Sequence, residues 1–243
     1  TSWRAYPIVD AAIWLPLACY GVLMVSQRQA LSSAVLAALA FALPVLAGHP
    51  ETAAHITLTV SLFAIFVFFR TPRGERSRYV ALFLLAGALS VGLAAAQLLP
   101  TVEWLSHTRL SVNERWKPQA VHNIFGFLSR DISTQPNSIG NPIPEGAAYA
   151  GIISLLLIIP ALIGRHRRDA LFFAIAGFAA LQVVYGLNPI HWLSSMTPVL
   201  AGLKNGRLLL VVDFCLAVLL GLGISHLRSE EHTSELQSRF GIS

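Results

Sequence analysis

Seven apolar runs set the rhythm of the chain, at residues 9–25, 30–47, 53–69, 79–99, 147–164, 170–187 and 208–227. Each is close to the roughly 20 residues that carry a helix across a ~30 Å hydrocarbon core. The pattern predicts an all-α fold: a polytopic transmembrane helix bundle of about seven spans, with one long extracytoplasmic loop at residues 100–146. Pro16, Pro44 and Pro160 lie inside or near the ends of these runs. Within a bundle, neighbouring helices and water can satisfy the carbonyls that such prolines free.

The connectors between runs set the orientation. Arg28 lies in the first, Arg70, Arg73, Arg76 and Arg78 crowd the third, and Arg165, Arg167 and Arg168 the fifth, while Gly48–Thr52 (GHPET) has no Lys or Arg. Alternating spans put all the arginine-bearing connectors on one side, which the positive-inside rule makes cytoplasmic. The GHPET turn, the 100–146 loop and residues 188–207 then share the outer side. The long loop balances Arg109, Arg115, Lys117 and Arg130 against Glu103, Glu114, Asp131 and Glu145, as suits a translocated segment. Trp104, Trp116, Tyr149, Tyr185 and Trp192 fall at the outer ends of spans, where an aromatic belt belongs. Inside the loop, Thr101–Arg109 prolongs the fourth helix, Val121–Leu128 reads as an interfacial helix, and Gln135–Pro144 as irregular.

Composition agrees with the pattern. Apolar residues make up 55% of the 243 and charged residues 12%, where globular domains carry about 25% charged. Mean hydropathy is +0.63. The net charge of +5 is explained by the connector arginines, so no nucleic-acid partner is expected; membrane lipids are. Cys19 and Cys215 each sit within an apolar run and read as small core residues. Gln97 and Gln182, near span ends, read as interhelical glue. No metal-ligand spacing is present, and no cofactor is expected.

Three outer-side groups can carry chemistry. In GHPET, Gly48 suits a left-handed cap and Pro50 a first helical turn, which makes a tight turn the plain reading. The sharper one places an anion at the helix start, with His55 donating to it and Glu51, four residues before, orienting that histidine. The second group is Glu103, His107, Arg109 and Ser111, either a solvated helix end or a phosphate or sugar contact through Arg109. The third is Lys204-Asn205-Gly206-Arg207, either snorkelling cations or a basic patch for anionic lipid. Asp213, two turns into the last run, must face the bundle or water, and reads as a structural hydrogen-bonding residue.

The ends of the chain carry expectations of their own. Thr1 follows no Met or signal segment, so the start of the gene product is expected upstream and the chain to be a fragment. Residues 228–238 (RSEEHTSELQS) read as a translated sequencing adapter, so residues 228–243 are set aside from function and residues 1–227 form the transmembrane domain.

The blocks AGHPET, AAAQLLPTVEWLSHTRLS, YAGIISLLLIIPAL and NPIHWLSSMTPVLAGLKNGRLLLVVDFCLAVLLGLGISHL, in this order and spacing, resemble the YfhO family of bacterial polytopic membrane proteins, similar to GT-C glycosyltransferases. One departure is Lys204, where the family pattern has an arginine. The resemblance implies an inner-membrane enzyme that transfers a sugar from a polyprenyl-phosphate donor to a cell-envelope or lipid acceptor at the outer face. It implies a catalytic acid in a first outer loop, upstream of Thr1, so the catalytic residue of this chain is unknown. It leaves donor binding to His49, Glu51, His55, Glu103, Arg109 and Arg207. A lipid or polysaccharide transporter and a non-catalytic membrane scaffold are the alternatives.

Overall fold

The computed structural model describes residues 6–107, 118–128 and 150–240, which are predominantly helical and contain no β-strand. They belong to two compact units, Thr1–Arg115 and Trp116–Ser243.

The first unit holds α1 (Tyr6–Ala12), α2 (Leu15–Arg28), α3 (Leu31–Leu46), α4 (Pro50–Arg70), α5 (Arg76–Leu93) and α6 (Ala95–His107). Helix α1 ends four residues before Pro16, where the proline ring meets the carbonyl it cannot bond. Helices α2 and α3 reverse through Gln29, held at φ 46. The buried face of α3 is small, with Ser33, Ala34, Ala37, Ala38 and Ala42. A Cβ built on Gly21 of α2 would lie 3.2 Å from the Ala37 Cα. This is the close, small-residue packing by which helices associate in a bilayer. Phe41 of α3 lies edge-on to Phe83 of α5 at 5.7 Å, and within α5 Tyr79 stacks on Phe83 at 6.2 Å. The buried Tyr79 hydroxyl also donates to the Ala64 carbonyl of α4 at 3.0 Å.

Arg76 closes the C-terminal end of α4. Its Nε donates to the Thr71 carbonyl and its Nη2 to that of Phe69, each at 3.0 Å, and its guanidinium lies 5.1 Å from the Phe68 ring centre. The last carbonyls of a helix have no partner within it, and this arginine supplies one. Alongside, Gln29 Nε2 donates to Glu75 Oε2 at 2.9 Å, and the Ser26 and Thr71 hydroxyls meet at 3.1 Å. The arginine-rich connector is thus a built structure as well as a charge signal.

The second unit contains a 3₁₀ turn at Val121–Phe127, then α7 (Ile152–Leu156), α8 (Ile158–Ile163), α9 (Arg167–Val184), α10 (Ile190–Met196) and α11 (Pro198–Ala201). A 3₁₀ turn at Asn205–Leu208 leads into α12 (Leu209–Phe240). Helix α7 stops at Leu156, four residues before Pro160, by the rule that ended α1. Helices α9 and α12 meet where a Cβ on Gly177 would lie 3.2 Å from the Cys215 Cβ, with Phe173 edge-on to Phe214 at 5.8 Å. At Gly223, α12 packs directly on the Leu157 carbonyl, leaving no room for a side chain. Helix α12 then continues through the polar residues after Leu227, with His226 and Glu230 paired at 3.2 Å.

Four helical segments among the described residues are long and apolar enough to cross a membrane: Pro7–Arg28, Pro50–Arg70, Arg73–Leu93 and Asn205–Glu230. The other three expected runs differ from this standard for visible reasons. Leu31–Leu46 and Ile152–Ile163 are apolar but shorter, the latter rising only about 18 Å at 1.5 Å per residue. Helix α9 opens on Arg167, Arg168 and Asp169. The run expected at 79–99 is interrupted at Ala94, so that Gln97 belongs to α6. The helical extension of Thr101–Arg109 is present as far as His107, and Val121–Phe127 is helical with 3₁₀ geometry. Gln135–Pro144 and the rest of the long loop lie outside the described residues.

Candidate functional site

In the first unit the chemistry gathers at the start of α4. Gly48 takes φ +79, which ends α3 and which a side chain would strain. His49 follows as the N-cap of α4. Its Nδ1 accepts from the Thr52 backbone N–H at 3.2 Å and stands 2.9 Å from the Thr52 hydroxyl. An Nδ1 that accepts an amide proton carries none itself, so in the neutral ring the proton is on Nε2, which is then a donor. Glu51 sits in the first turn, where a negative charge complements the helix dipole. His55, one turn on, is only 1% exposed and Thr52 2%. The expected Glu51–His55 face is therefore divided between a half-buried first turn and the unit's interior.

Helix α6 reaches the same turn, with Gln97 Nε2 3.9 Å from the position of a Cβ on Gly48. Glu103, farther along, is exposed, and its backbone carbonyl accepts from His107 Nδ1 at 2.8 Å. The expected carboxylate–imidazole pair thus includes a main-chain bond. Arg109 and Ser111, the remaining members of that group, lie outside the described residues.

The second unit collects polar groups at the C-terminal end of α9. Gly186 takes φ +68, and a Cβ there would come within 2.8 Å of the Pro118 side chain. The Gln119 amide donates to the Val184 carbonyl at 2.9 Å. Residues 118–120 are thereby fastened to α9, ahead of the turn at Val121–Phe127. Tyr185 is 3% exposed, so it is an interior residue and not a member of an aromatic belt, whereas Trp104 and Trp192 are exposed. Gln182 donates weakly to the Asn188 carbonyl at 3.4 Å, within its own turn.

Ahead of α12, Asn205 donates to the Leu200 carbonyl at 2.8 Å and fixes the 3₁₀ turn. Lys204 is exposed, while Arg207 is half-buried with Nε and Nη1 shut away from solvent. A snorkelling arginine would hold these atoms in water. Gln119 Oε1, Tyr185 Oη, His191 Nδ1 and Asp213 Oδ1 are buried and make no hydrogen bond. Such atoms are few in native proteins and call for a reason.

Beside this end lies an apolar cavity of about 440 Å³. Ile124, Phe125 and Leu128 line it from the 121–127 turn, Phe178 and Leu181 from α9, and Val212 and Cys215 from α12, among others. Among the described residues no group of three or more His, Cys, Asp or Glu is arranged to hold a metal.

Apolar helices of membrane length, exposed apolar side chains such as Leu171, Ile175 and Phe178 along one face of α9, and buried polar groups near helix ends define a helical membrane protein. Searches of family models, curated proteins and solved structures give no match to the chain.

Sequence reading passed over Gln119 and His191, and placed Tyr185 and Asp213 in supporting roles. Nothing in the run of types around a tyrosine tells an interfacial ring from a buried one. The φ-positive Gly186 immediately after Tyr185 was the available signal that the chain turns tightly there.

Proposed function

We propose that the chain is part of an inner-membrane glycosyltransferase of about seven spans, which uses a polyprenyl-phosphate sugar donor at the outer face. The reading rests on the ordered blocks that resemble the YfhO family and on charged groups held near helix ends. The observation that carries it is Arg207. A half-buried guanidinium at the head of a membrane-length helix stands where the phosphate of a lipid would lie. Its planar fork matches phosphate oxygens better than an ammonium would.

In the first unit, the His49 Nε2–H and the dipole of α4 offer an anion contact of their own, beside Glu51 in the same first turn. His55 supports that turn from within. Glu103 and Arg109 serve the same donor from the segment that follows α6. The acceptor is a hydroxyl of a cell-envelope or lipid molecule.

The test is incorporation of labelled sugar into envelope lipid by cells that make the protein. Arg207→Ala and Arg109→Ala should each lower incorporation about tenfold or more, as loss of a desolvated charge contact does, with expression unchanged. Wild-type incorporation in both variants would rule the donor site out.

The interruptions at Ala94 and Leu157 favour a second reading, a lipid or polysaccharide transporter, because broken helices mark transport sites. Gly223 covers the Leu157 carbonyl, so that break is packed and does not face an open path. Transport without transfer, measured as lipid movement across vesicles, would favour this alternative.

A further inference from the structure

Three of the four membrane-length segments among the described residues meet at one end of the first unit. Pro7–Arg28 and Pro50–Arg70 finish there and Arg73–Leu93 begins there, so each reaches its boundary on an arginine. Two hydrogen bonds hold these ends together, one between the Ser26 and Thr71 hydroxyls and one from Gln29 Nε2 to Glu75 Oε2. Arg28 is thereby brought beside the connector that carries Arg70, Arg73, Arg76 and Arg78. Against these five arginines the two stretches, residues 26–30 and 69–80, hold one carboxylate, Glu75, and Gln29 already donates to it.

The cluster is fixed in place. Pro72 and a 3₁₀ turn at Arg73–Glu75 lead straight into α5. Arg70 keeps its guanidinium 5.4 Å from the Phe66 ring centre, and Arg76 bonds the last carbonyls of α4. Arg28, Arg70, Arg73 and Arg78 are exposed. A topology signal needs only basic residues in a short connector. It does not need two connectors bonded to each other. Like charges gathered at one end repel, so the arrangement favours a counter-charge among them. At the ends of apolar spans, where arginine stems lie on apolar surface and their heads in the polar layer, that counter-charge is a lipid head group.

We infer that this end of the first unit binds an anionic phospholipid, with Arg28, Arg70, Arg73 and Arg78 supplying the contacts to its head group and exposed apolar side chains such as Phe69 and Val80 lying along its chains. A guanidinium fork matches phosphate oxygens. A zwitterionic head group also brings a phosphate, but its own cation competes for it, so net negative charge is what the cluster selects. The site lies at the end of α4 away from His49. It involves no sugar donor, so it and the donor reading can fail separately.

The test titrates the purified full chain in detergent with dioleoylphosphatidylglycerol or dioleoylphosphatidylcholine, which share their chains and differ in net charge. Binding is read from the rise in unfolding temperature. The anionic lipid should bind about tenfold or more tightly than the zwitterionic one, and added salt should shrink that ratio. The triple variant Arg28→Gln, Arg73→Gln, Arg78→Gln leaves the Arg76 cap intact. It should weaken the anionic lipid about tenfold or more and leave the zwitterionic one unchanged. Arg73→Gln alone, in the surface turn, replaces it if the triple variant does not elute as a single species, with a loss of about fivefold. Arg165→Gln, Arg167→Gln, Arg168→Gln removes the same charge from the second unit and should change anionic binding less than about twofold. Equal binding of the two lipids to the wild-type chain overturns the inference. So does an equal loss in the two triple variants, which would make net charge alone the cause.

Discussion

Replacing His49 by Asn keeps an acceptor for the Thr52 amide, since Asn is among the best N-caps, and removes the imidazole. Thermal unfolding in detergent should put His49→Asn within about 0.5 kcal/mol of wild type, while His49→Ala loses about 1 kcal/mol. If Nε2 contacts the donor, both variants lose sugar incorporation; retained incorporation in His49→Asn would leave the ring a cap and nothing more. Tyr79 offers a cleaner energetic case. Its buried hydroxyl has one partner, the Ala64 carbonyl at 3.0 Å. Tyr79→Phe leaves that bond unmade in the interior and should cost about 1–2 kcal/mol, read from the same unfolding curves. Arg76→Ala strips the cap from α4 and the cation from the Phe68 ring. Because this arginine is partly solvated, its loss should cost less than a buried charge pair, about 1 kcal/mol, and Arg76→Lys, with no fork, should recover only part of it.

At the scale of elements, one proline sets where a helix stops in each unit. Pro160 ends α7 and Pro16 ends α1, each four residues ahead. Pro160→Ala restores a donor for the Leu156 carbonyl, so α7 and α8 should join. The new amide at position 160 should then be protected in hydrogen exchange; rapid exchange there would show that the break is held by packing instead. Gly223→Ala should destabilise by about 1–3 kcal/mol, as overpacking does, because the added carbon meets a backbone carbonyl that has no freedom to yield. The sequence marked these prolines, and it located the apolar runs within a few residues. It did not reveal that Pro160 cuts its run into two short helices, because a proline inside a span is tolerated or not according to what surrounds it. It read Gly48 and Pro50 correctly as cap and first turn, since backbone requirements of this kind are written in single residue types. Burial is written in no single residue. His55 and Tyr185 looked exposed from their places at span ends, and packing put both inside. Arg207 read as either a snorkelling or a lipid-facing cation, and nothing in the types of its neighbours foretold that its Nε and Nη1 would be buried.

For the molecule as a whole, the proposed function requires that the arginine-rich connectors lie on the cytoplasmic side and the chemistry-bearing turns on the outer side. Single cysteines test this in a background with Cys19 and Cys215 replaced by Ala. Gly74 and Glu103 mark the two faces in the first unit, Arg168 and Lys204 those in the second, and all four are exposed. In intact cells, a membrane-impermeant maleimide should label Glu103→Cys and Lys204→Cys. It should reach Gly74→Cys and Arg168→Cys only after the membrane is opened. Labelling of Gly74→Cys or Arg168→Cys from outside, or protection of Lys204→Cys, would contradict the orientation on which the outer-face site depends.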